Sequence, residues 1–469
     1  MDLRKFFQAT NPSRTLVVEN PEDQKYYIDF SSVRGGKIIE ELKENITFFS
    51  PDEPTCALFT GHIGCGKSTE LLRLKTELEQ EGFHVVYFES SEDLEMTDVD
   101  IGDVLLAIAH RISQSLNQIQ LEEPRRLKEL LQGAWKVLNS EVTGVKLKPS
   151  AISELFKLSA IPVLSDIPGI PQIGDVGFTS ENEKLSLMFG LGEITTKVKN
   201  DATLREKLNQ YLGPQKTQLL EAINKELIEP AIAKLKQQGK KGLVAIVDNL
   251  DRMDSRPKPW GCPQQEYLFV EQGEFLTRLK CHLVYTMPLA LKFSNACAML
   301  DQRFPQGSKV LPMVPVHLKN GSACEAGLEL LRQMVLARAF PDLEAKKRLD
   351  KITEIFDSPE TLDRLCCVSG GHVRDLLRLL NDWVKKERQL PLSRQTLEKL
   401  IRAYRNDMIM RISDREWQLL RQVQQRKWIS DDRGYETLIR SRLVFEYRQD
   451  EDSWFDVNPV VAEAEQLQS

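Results

Sequence analysis

The chain has 469 residues, 41% hydrophobic and 28% charged, with 63 Lys and Arg against 69 Asp and Glu for a formal charge of −6. That length suggests about three folding units, and the negative overall field excludes whole-surface recruitment of nucleic acid, leaving only a local basic patch. No apolar run approaches the roughly 18 residues of a membrane helix, the stretch Met1–Phe7 lacks a signal peptide's apolar core, and eight scattered cysteines without a CxxC pair point to a reducing, cytoplasmic setting.

Turn-forming Asn11-Pro12-Ser13 and Asn20-Pro21 open an N-terminal segment, 1–50, in which Ile38, Ile39, Leu42 and Ile46 fall on one helical face. Cys56–Thr60 reads as a buried strand. A Gly-rich turn follows, and then a helix with Leu71, Leu72, Leu74 and Leu78 inward. His84–Phe88 predicts a second strand, and Leu105, Leu106, Ile108 and Ile112 mark a helix beginning near residue 100. Strands alternating with helices predict an α/β core over 51–310 with a parallel sheet covered on both faces. Between about 120 and 203 the rhythm weakens, and Pro149, Pro162, Pro168 and Pro171 interrupt it, so this stretch reads as an insertion within the core. A helix is expected over 216–238, leading into the most apolar strand of the chain, Leu243–Val247.

Beyond residue 310 the pattern turns helical, at 321–340, 345–356, 360–367, 372–388 and 394–408, predicting a helical unit over 311–410. The stretch 411–469 offers helices at 414–425 and 435–441, then two short strands around a charged turn. That is the order of a winged helix.

Gly61-His62-Ile63-Gly64-Cys65-Gly66-Lys67-Ser68 fits G-x-x-x-x-G-K-[ST] between a predicted strand and a predicted helix. Glycines let the backbone curl so that successive N–H groups meet phosphate oxygens, and the helix adds its positive end. In this pattern Lys67 bridges the β- and γ-phosphates of ATP and the Ser68 hydroxyl ligates Mg²⁺. The eight loop residues and the adjoining Thr69 are therefore candidates for nucleotide binding. A phosphate loop needs an acidic partner on a neighbouring strand. Asp248, at the exposed end of Leu243–Val247, is the candidate to share the metal with Ser68. Asp251 is the candidate to orient the attacking water, because Asn249 cannot act as a base. The competing reading of either aspartate is a helix N-cap.

These residues together resemble an AAA+ ATPase, within the broad group shared by origin-recognition-type initiators and STAND-type signalling ATPases. The resemblance implies an α/β P-loop core, a helical lid and a C-terminal winged helix. It further implies that Tyr27–Phe30 and Val33–Gly36, with Arg34, pack on the adenine. Thr286 in His282–Pro288 stands at the polar sensor position, and Arg374 in Ser369–Asp375 is implied to aim at the γ-phosphate. Arg303 lies where origin-recognition-type ATPases often carry an arginine that reaches a neighbouring subunit. The departures are an Asp-Asn ending of the acidic strand with an Asp three residues on, which resembles some STAND and KAP ATPases and implies slow hydrolysis, and the long stretch of chain between Lys67 and Asp248. From the residues alone, Thr286 could equally cap a turn, and Arg303 and Arg374 could be surface ion-pair partners.

The stretch 411–469 carries nine Arg and Lys against twelve Asp and Glu, and its candidate recognition helix offers only Arg440 and Arg442. Specific duplex binding rests on several phosphate contacts. The expectation is thus an ATP-driven switch that acts on a protein partner or a second copy. The alternatives are a DNA-loading ATPase and a nucleotide-binding scaffold without turnover.

Overall fold

Five parallel strands form the centre of the computed structural model, which describes residues 2–117, 124–139, 183–430, 433–449 and 452–468. They are β1 (Cys56–Gly61), β2 (His84–Glu89), β3 (Leu243–Asp248), β4 (His282–Met287) and β5 (Ser308–Leu311), in the order β2-β3-β4-β1-β5. Every residue of β3 and β4 is buried, which is why these strands read as near-continuous apolar runs. Successive side chains point to opposite faces. Phe59, Val85, Val244, Ile246 and Val284 meet helices α2 (Ile38–Glu44) and α3 (Lys67–Gln80) on one face. Leu58, Val86, Ala245, Val247 and Leu283 meet α4 (Ile101–Ser115) and its neighbours on the other.

The expected insertion at 120–203 lies partly outside the described residues, and the four prolines that interrupt it lie wholly outside them. Its described parts form α5 (Arg125–Asn139) and α6 (Glu183–Asn200), followed by α7 (Ala202–Leu212). Leu191 and Ile194 of α6 pack over α4, and Leu127, Leu131 and Leu138 of α5 pack against α6 and α7, all in the same core as the sheet. This explains why α4 is apolar around most of its circumference: it is covered by the sheet on one side and by helices on the other. The helix expected over 216–238 runs through 216–237 with one wider turn at Asn224–Ile228. Pro230, which has no N–H and crowds the carbonyl four residues back, accounts for the widening.

After α8 (Cys297–Arg303) and β5 come α9 (Glu325–Ala339), α10 (Pro359–Val368), α11 (Val373–Glu387) and α12 (Arg394–Ile409). The helix expected over 345–356 is shorter, ending at Leu349 with a separate turn at Ile352–Glu354. Trp383, Phe356, Leu376 and Leu380 centre a core that Phe6 of α1 (Leu3–Ala9) and Phe30 of the N-terminal segment also enter. Asn381 Nδ2 ties this segment down by donating to the Phe7 carbonyl at 3.0 Å.

The C-terminal stretch folds as α13 (Asp414–Arg426), α14 (Arg433–Arg440) and the antiparallel hairpin β6 (Val444–Gln449) and β7 (Asp452–Val457). Val444 and Phe455 join Trp417, Leu420 and Leu438 in a local core. Phe445, Tyr447 and Trp454 instead belong to the core shared with α3 and the sheet. The Met313 N–H donates to the Glu446 carbonyl at 2.9 Å, fastening β6 to the segment that follows β5. Among the described residues no helix is long and apolar enough to cross a membrane.

Candidate functional site

The phosphate loop leaves the carboxyl end of β1, the end at which open α/β sheets bind ligands. Its carbonyl groups all have donors. Lys67 Nζ donates to Gly61 O (2.8 Å) and His62 O (3.0 Å), and the His372 Nε2 donates to Ile63 O (2.9 Å). The Arg374 N–H reaches Gly64 O (3.2 Å), Arg34 Nη2 reaches Cys65 O (2.9 Å), and the Glu70 N–H reaches Gly66 O (3.2 Å). By contrast, the N–H groups of Gly64 and Gly66 have no acceptor among the described residues, and the first turn of α3 has no side-chain cap. Free amides at a helix N-terminus form an anion site. Gly64 has φ +98, and an added Cβ would stand 2.8 Å from the His372 ring and 2.9 Å from the Arg374 Cβ. Only glycine lets α11 approach the loop this closely.

Lys67 is buried and paired with Asp251 Oδ2 at 2.9 Å. Burial, the largest influence, would lower the Lys67 pKa, but Asp251 together with Cys65 and Asp248 raises the group above its ordinary value. The other Asp251 oxygen is buried without a hydrogen-bond partner. Asp248 sits at the end of β3, oriented by Tyr87, whose hydroxyl donates to Oδ2 at 2.8 Å, and by the Asn249 N–H, which donates to Oδ1 at 2.7 Å. Burial and the adjacent Asp248 hold the Tyr87 hydroxyl protonated well above its ordinary range. Asn249 adopts a left-handed backbone (φ 65) that swings its amide across to β2, where Nδ2 donates to Glu89 Oε2 at 2.6 Å. Burial and then Asp248 raise the Glu89 carboxyl above the usual carboxylate range.

Lys67, Asp248, Asn249 and Asp251 line an open cleft of about 540 Å³ together with Ile63, Gly64, Gly66, Ser68, Thr69, Arg252, Val373, Arg374 and Leu377, and with Pro12, Arg14 and Thr15 of the N-terminal segment, while Tyr87 and Glu89 stand behind Asp248 and Asn249 at its edge. Burial, and next the repulsion of Arg252, Arg442 and Arg378, lower the Arg374 pKa. Neither Arg252 nor Arg374 makes an ion pair among the described residues. Unsatisfied amides and unpaired guanidinium groups fit an anion with several phosphates, and the orphaned Asp251 oxygen can accept a hydrogen bond from water. The hard oxygens of Ser68 and Asp248 suit Mg²⁺.

Several expected residues are not brought to the cleft. Arg34 lies behind the loop, buried against the Cys65 carbonyl, with its guanidinium carbon 5.1 Å from the Phe30 ring centre. Tyr27 likewise sits behind α3, accepting from Arg73 (2.8 Å) and donating to Glu70 (3.2 Å). Thr286 is fully buried: its hydroxyl accepts the Leu250 N–H at 3.0 Å and lies 3.4 Å from the Val247 carbonyl, stapling the turn before Asp251. The Cys65 thiol faces the Leu311 carbonyl at 3.7 Å. The His62 ring points away too, its Nε2 accepting the Glu446 N–H at 3.3 Å. Burial, and then neighbouring His372 and Lys67, drive its pKa well below the ordinary histidine value. Arg303 is exposed at the end of α8. Conversely, Tyr87, Glu89, Arg252 and the strap 12–15 had no local motif to announce them, and His372 lay unremarked within Ser369–Asp375.

Residues 36–257, which hold α2 through β3, match the family model described as the KAP family P-loop domain. β4, β5, the helical unit and the C-terminal stretch lie outside the matched span. No curated protein matches the chain. The parallel sheet, the loop at the end of β1 and this match identify a P-loop NTPase core.

Proposed function

We propose that the chain is a molecular switch that binds ATP with Mg²⁺ in this cleft and hydrolyses it. The observation carrying the reading is a loop whose six carbonyls from Gly61 to Gly66 are all engaged by donors, while the Gly64 and Gly66 amides have no acceptor among the described residues. On nucleotide binding Lys67 would exchange Asp251 for the β- and γ-phosphates, and Ser68 and Asp248 would hold the metal. Bound magnesium supplies charge neutralisation at the phosphate oxygens. Arg374 is proposed to meet the γ-phosphate, and the strap 12–15 with Val373 and Leu377 to cover the nucleoside.

The helical unit then acts as a lid and the C-terminal stretch as a winged helix in the AAA+ and STAND-like manner. What supports the coupling is contact with the loop from both units: α11 through His372 and Arg374, β6 through Glu446. Moving such a switch from 1:99 to 99:1 requires about a 10⁴-fold preference of ATP for one state. The output passes to a protein partner or a second copy, with exposed Arg303 as a candidate contact. A cytoplasmic setting suits the eight free cysteines. The DNA-loading alternative is disfavoured because Arg440 already bonds Ser255 and Arg442 already bonds Asp375 at 2.9 Å.

The test is nucleotide binding and phosphate release by the purified chain, alone and with duplex DNA. The expected result is Mg²⁺-dependent turnover indifferent to DNA. It should be lost in Lys67→Ala/Asp251→Asn, a pair that removes the ammonium without stranding a buried charge. Turnover that rises steeply with DNA and falls with salt would favour the loading ATPase, and tight binding without phosphate release would favour the scaffold.

A further inference from the structure

Phosphoryl transfer to water needs a carboxylate with an oxygen free to accept a hydrogen bond from the attacking water. Of the two aspartates of the acidic strand, Asp248 is poorly disposed for this. Asp248 is committed to the metal position, with one oxygen taken by Tyr87 and the other by the Asn249 N–H. Asp251 is the counter-ion of Lys67 through Oδ2 at 2.9 Å, and its Oδ1, buried without a hydrogen-bond partner, makes it the rival acceptor.

β2 supplies another carboxylate. It pairs with β3 in parallel, and the register sets Glu89 directly opposite Asp248 at the carboxyl ends of both strands. Registered neighbours in a parallel pair project to the same face. Tyr87, two residues earlier on β2, reaches Asp248 from that face. Glu89 is half-exposed, and only one of its oxygens, Oε2, is engaged, by the amide of cleft-lining Asn249 at 2.6 Å. Its Oε1 has no partner among the described residues. Asn249 matters in its own right. An aspartate at that position would set a third carboxylate against Asp248 and Glu89, whereas the asparagine amide donates a hydrogen bond and fixes the Glu89 rotamer. The backbone there has φ 65, a left-handed conformation that asparagine tolerates better than most residues.

We infer that Glu89, held by the positioning residue Asn249, is the carboxylate that accepts the proton of the attacking water, while Asp251 serves as the resting counter-ion of Lys67. The inference rests on the proposed ATP hydrolysis. In the step, the water oxygen bonds to the γ-phosphorus and the bond from that phosphorus to the bridging oxygen breaks. ADP leaves with the electron pair, and the water proton passes to Glu89 and from there to the phosphate product or to solvent.

The experiment compares wild type, Glu89→Gln, Glu89→Asp and Asn249→Ala in nucleotide affinity (a fluorescent ATP analogue with Mg²⁺), steady-state turnover and melting temperature. Glu89→Gln keeps the hydrogen bond from Asn249 and the side-chain shape. It is expected to hold affinity within about threefold while turnover falls by about 10²-fold or more, with partial recovery in Glu89→Asp. Asn249→Ala is expected to lower kcat by less and to leave KM nearly unchanged. Turnover in Glu89→Gln within a few-fold of wild type overturns the inference and leaves the ATPase reading standing. Equal losses of affinity and turnover also overturn it, making Glu89 a binding group. A wild-type chain that binds nucleotide and releases no phosphate overturns both readings together.

Discussion

Lys67 and Asp251 illustrate how a single pair can serve two states. In a site this buried, each charge would be costly alone, and their contact at 2.9 Å holds the ammonium ready beside the loop carbonyls it also touches. Breaking a buried pair by removing one partner typically costs about 3–5 kcal/mol, because the other charge is left uncompensated. Lys67→Ala alone should therefore lower the unfolding free energy by about that amount, and adding Asp251→Asn should recover most of it. Urea denaturation with an unchanged slope checks this, and additive losses in the double variant would show that the two groups do not stabilise each other. Thr286 and Arg34 carry the complementary lesson at this scale. Both have the residue type the chemistry would ask for, yet both are buried on backbone groups that shape the site from outside the cleft.

At the scale of elements, the hairpin β6–β7 is divided between two cores. The Phe445 ring stacks on His372 (7° between planes, 5.7 Å between centres) and meets the His62 ring edge-on at 5.4 Å, so it lies between the loop and α11. Phe455 faces the other way, into the local C-terminal core against Phe293. Removing either ring leaves a cavity that costs about 3–5 kcal/mol. Only the Phe445 cavity adjoins the loop. Phe445→Ala is accordingly expected to weaken nucleotide affinity several-fold, whereas Phe455→Ala should destabilise to a similar degree and leave affinity unchanged. Titration of both variants with nucleotide decides the point, and equal affinities would disconnect the hairpin from the site. The helix at 216–237 shows the opposite dependence: Pro230 accounts for its one wide turn, a feature open to any reader of the chain.

For the molecule as a whole, stability against pH is a global readout with an identifiable local source. Asp103 opens α4 under the sheet, with Oδ2 accepting the Asp100 N–H at 3.1 Å and Oδ1 buried without a partner. Burial, and then the charge of Asp100, push its carboxyl up to about 7, with Asp98 adding to the rise and Arg205 opposing it. A carboxyl raised above its unfolded value binds more protons in the folded state across that interval, so stability falls as pH rises from about 4 to about 7 and then levels off. Asp103→Asn keeps the cap and removes the titration. It should be more stable than wild type at pH 8, by on the order of a few kcal/mol, and close to wild type at pH 4. Melting curves across this range test it, and parallel profiles for the two proteins would remove Asp103 as the source.

The P-loop pattern, the acidic end of β3, the alternation of strand and helix, and the helices after residue 310 were all legible in the chain. Each depends on neighbours a few positions apart: a glycine that frees a turn, an apolar run that predicts a buried strand, a proline that stops a helix. Tertiary structure decided the rest. The pairing of β2 with β3 set Glu89 beside Asp248, and the packing of α11 on Gly64 set His372 and Arg374 against the loop. The fold likewise turned Thr286 and Arg34 away from the cleft and laid the strap 12–15 along its edge. Those outcomes depend on strand order and on which surfaces exclude water together, and these are properties of residues far apart along the backbone that no local spacing encodes.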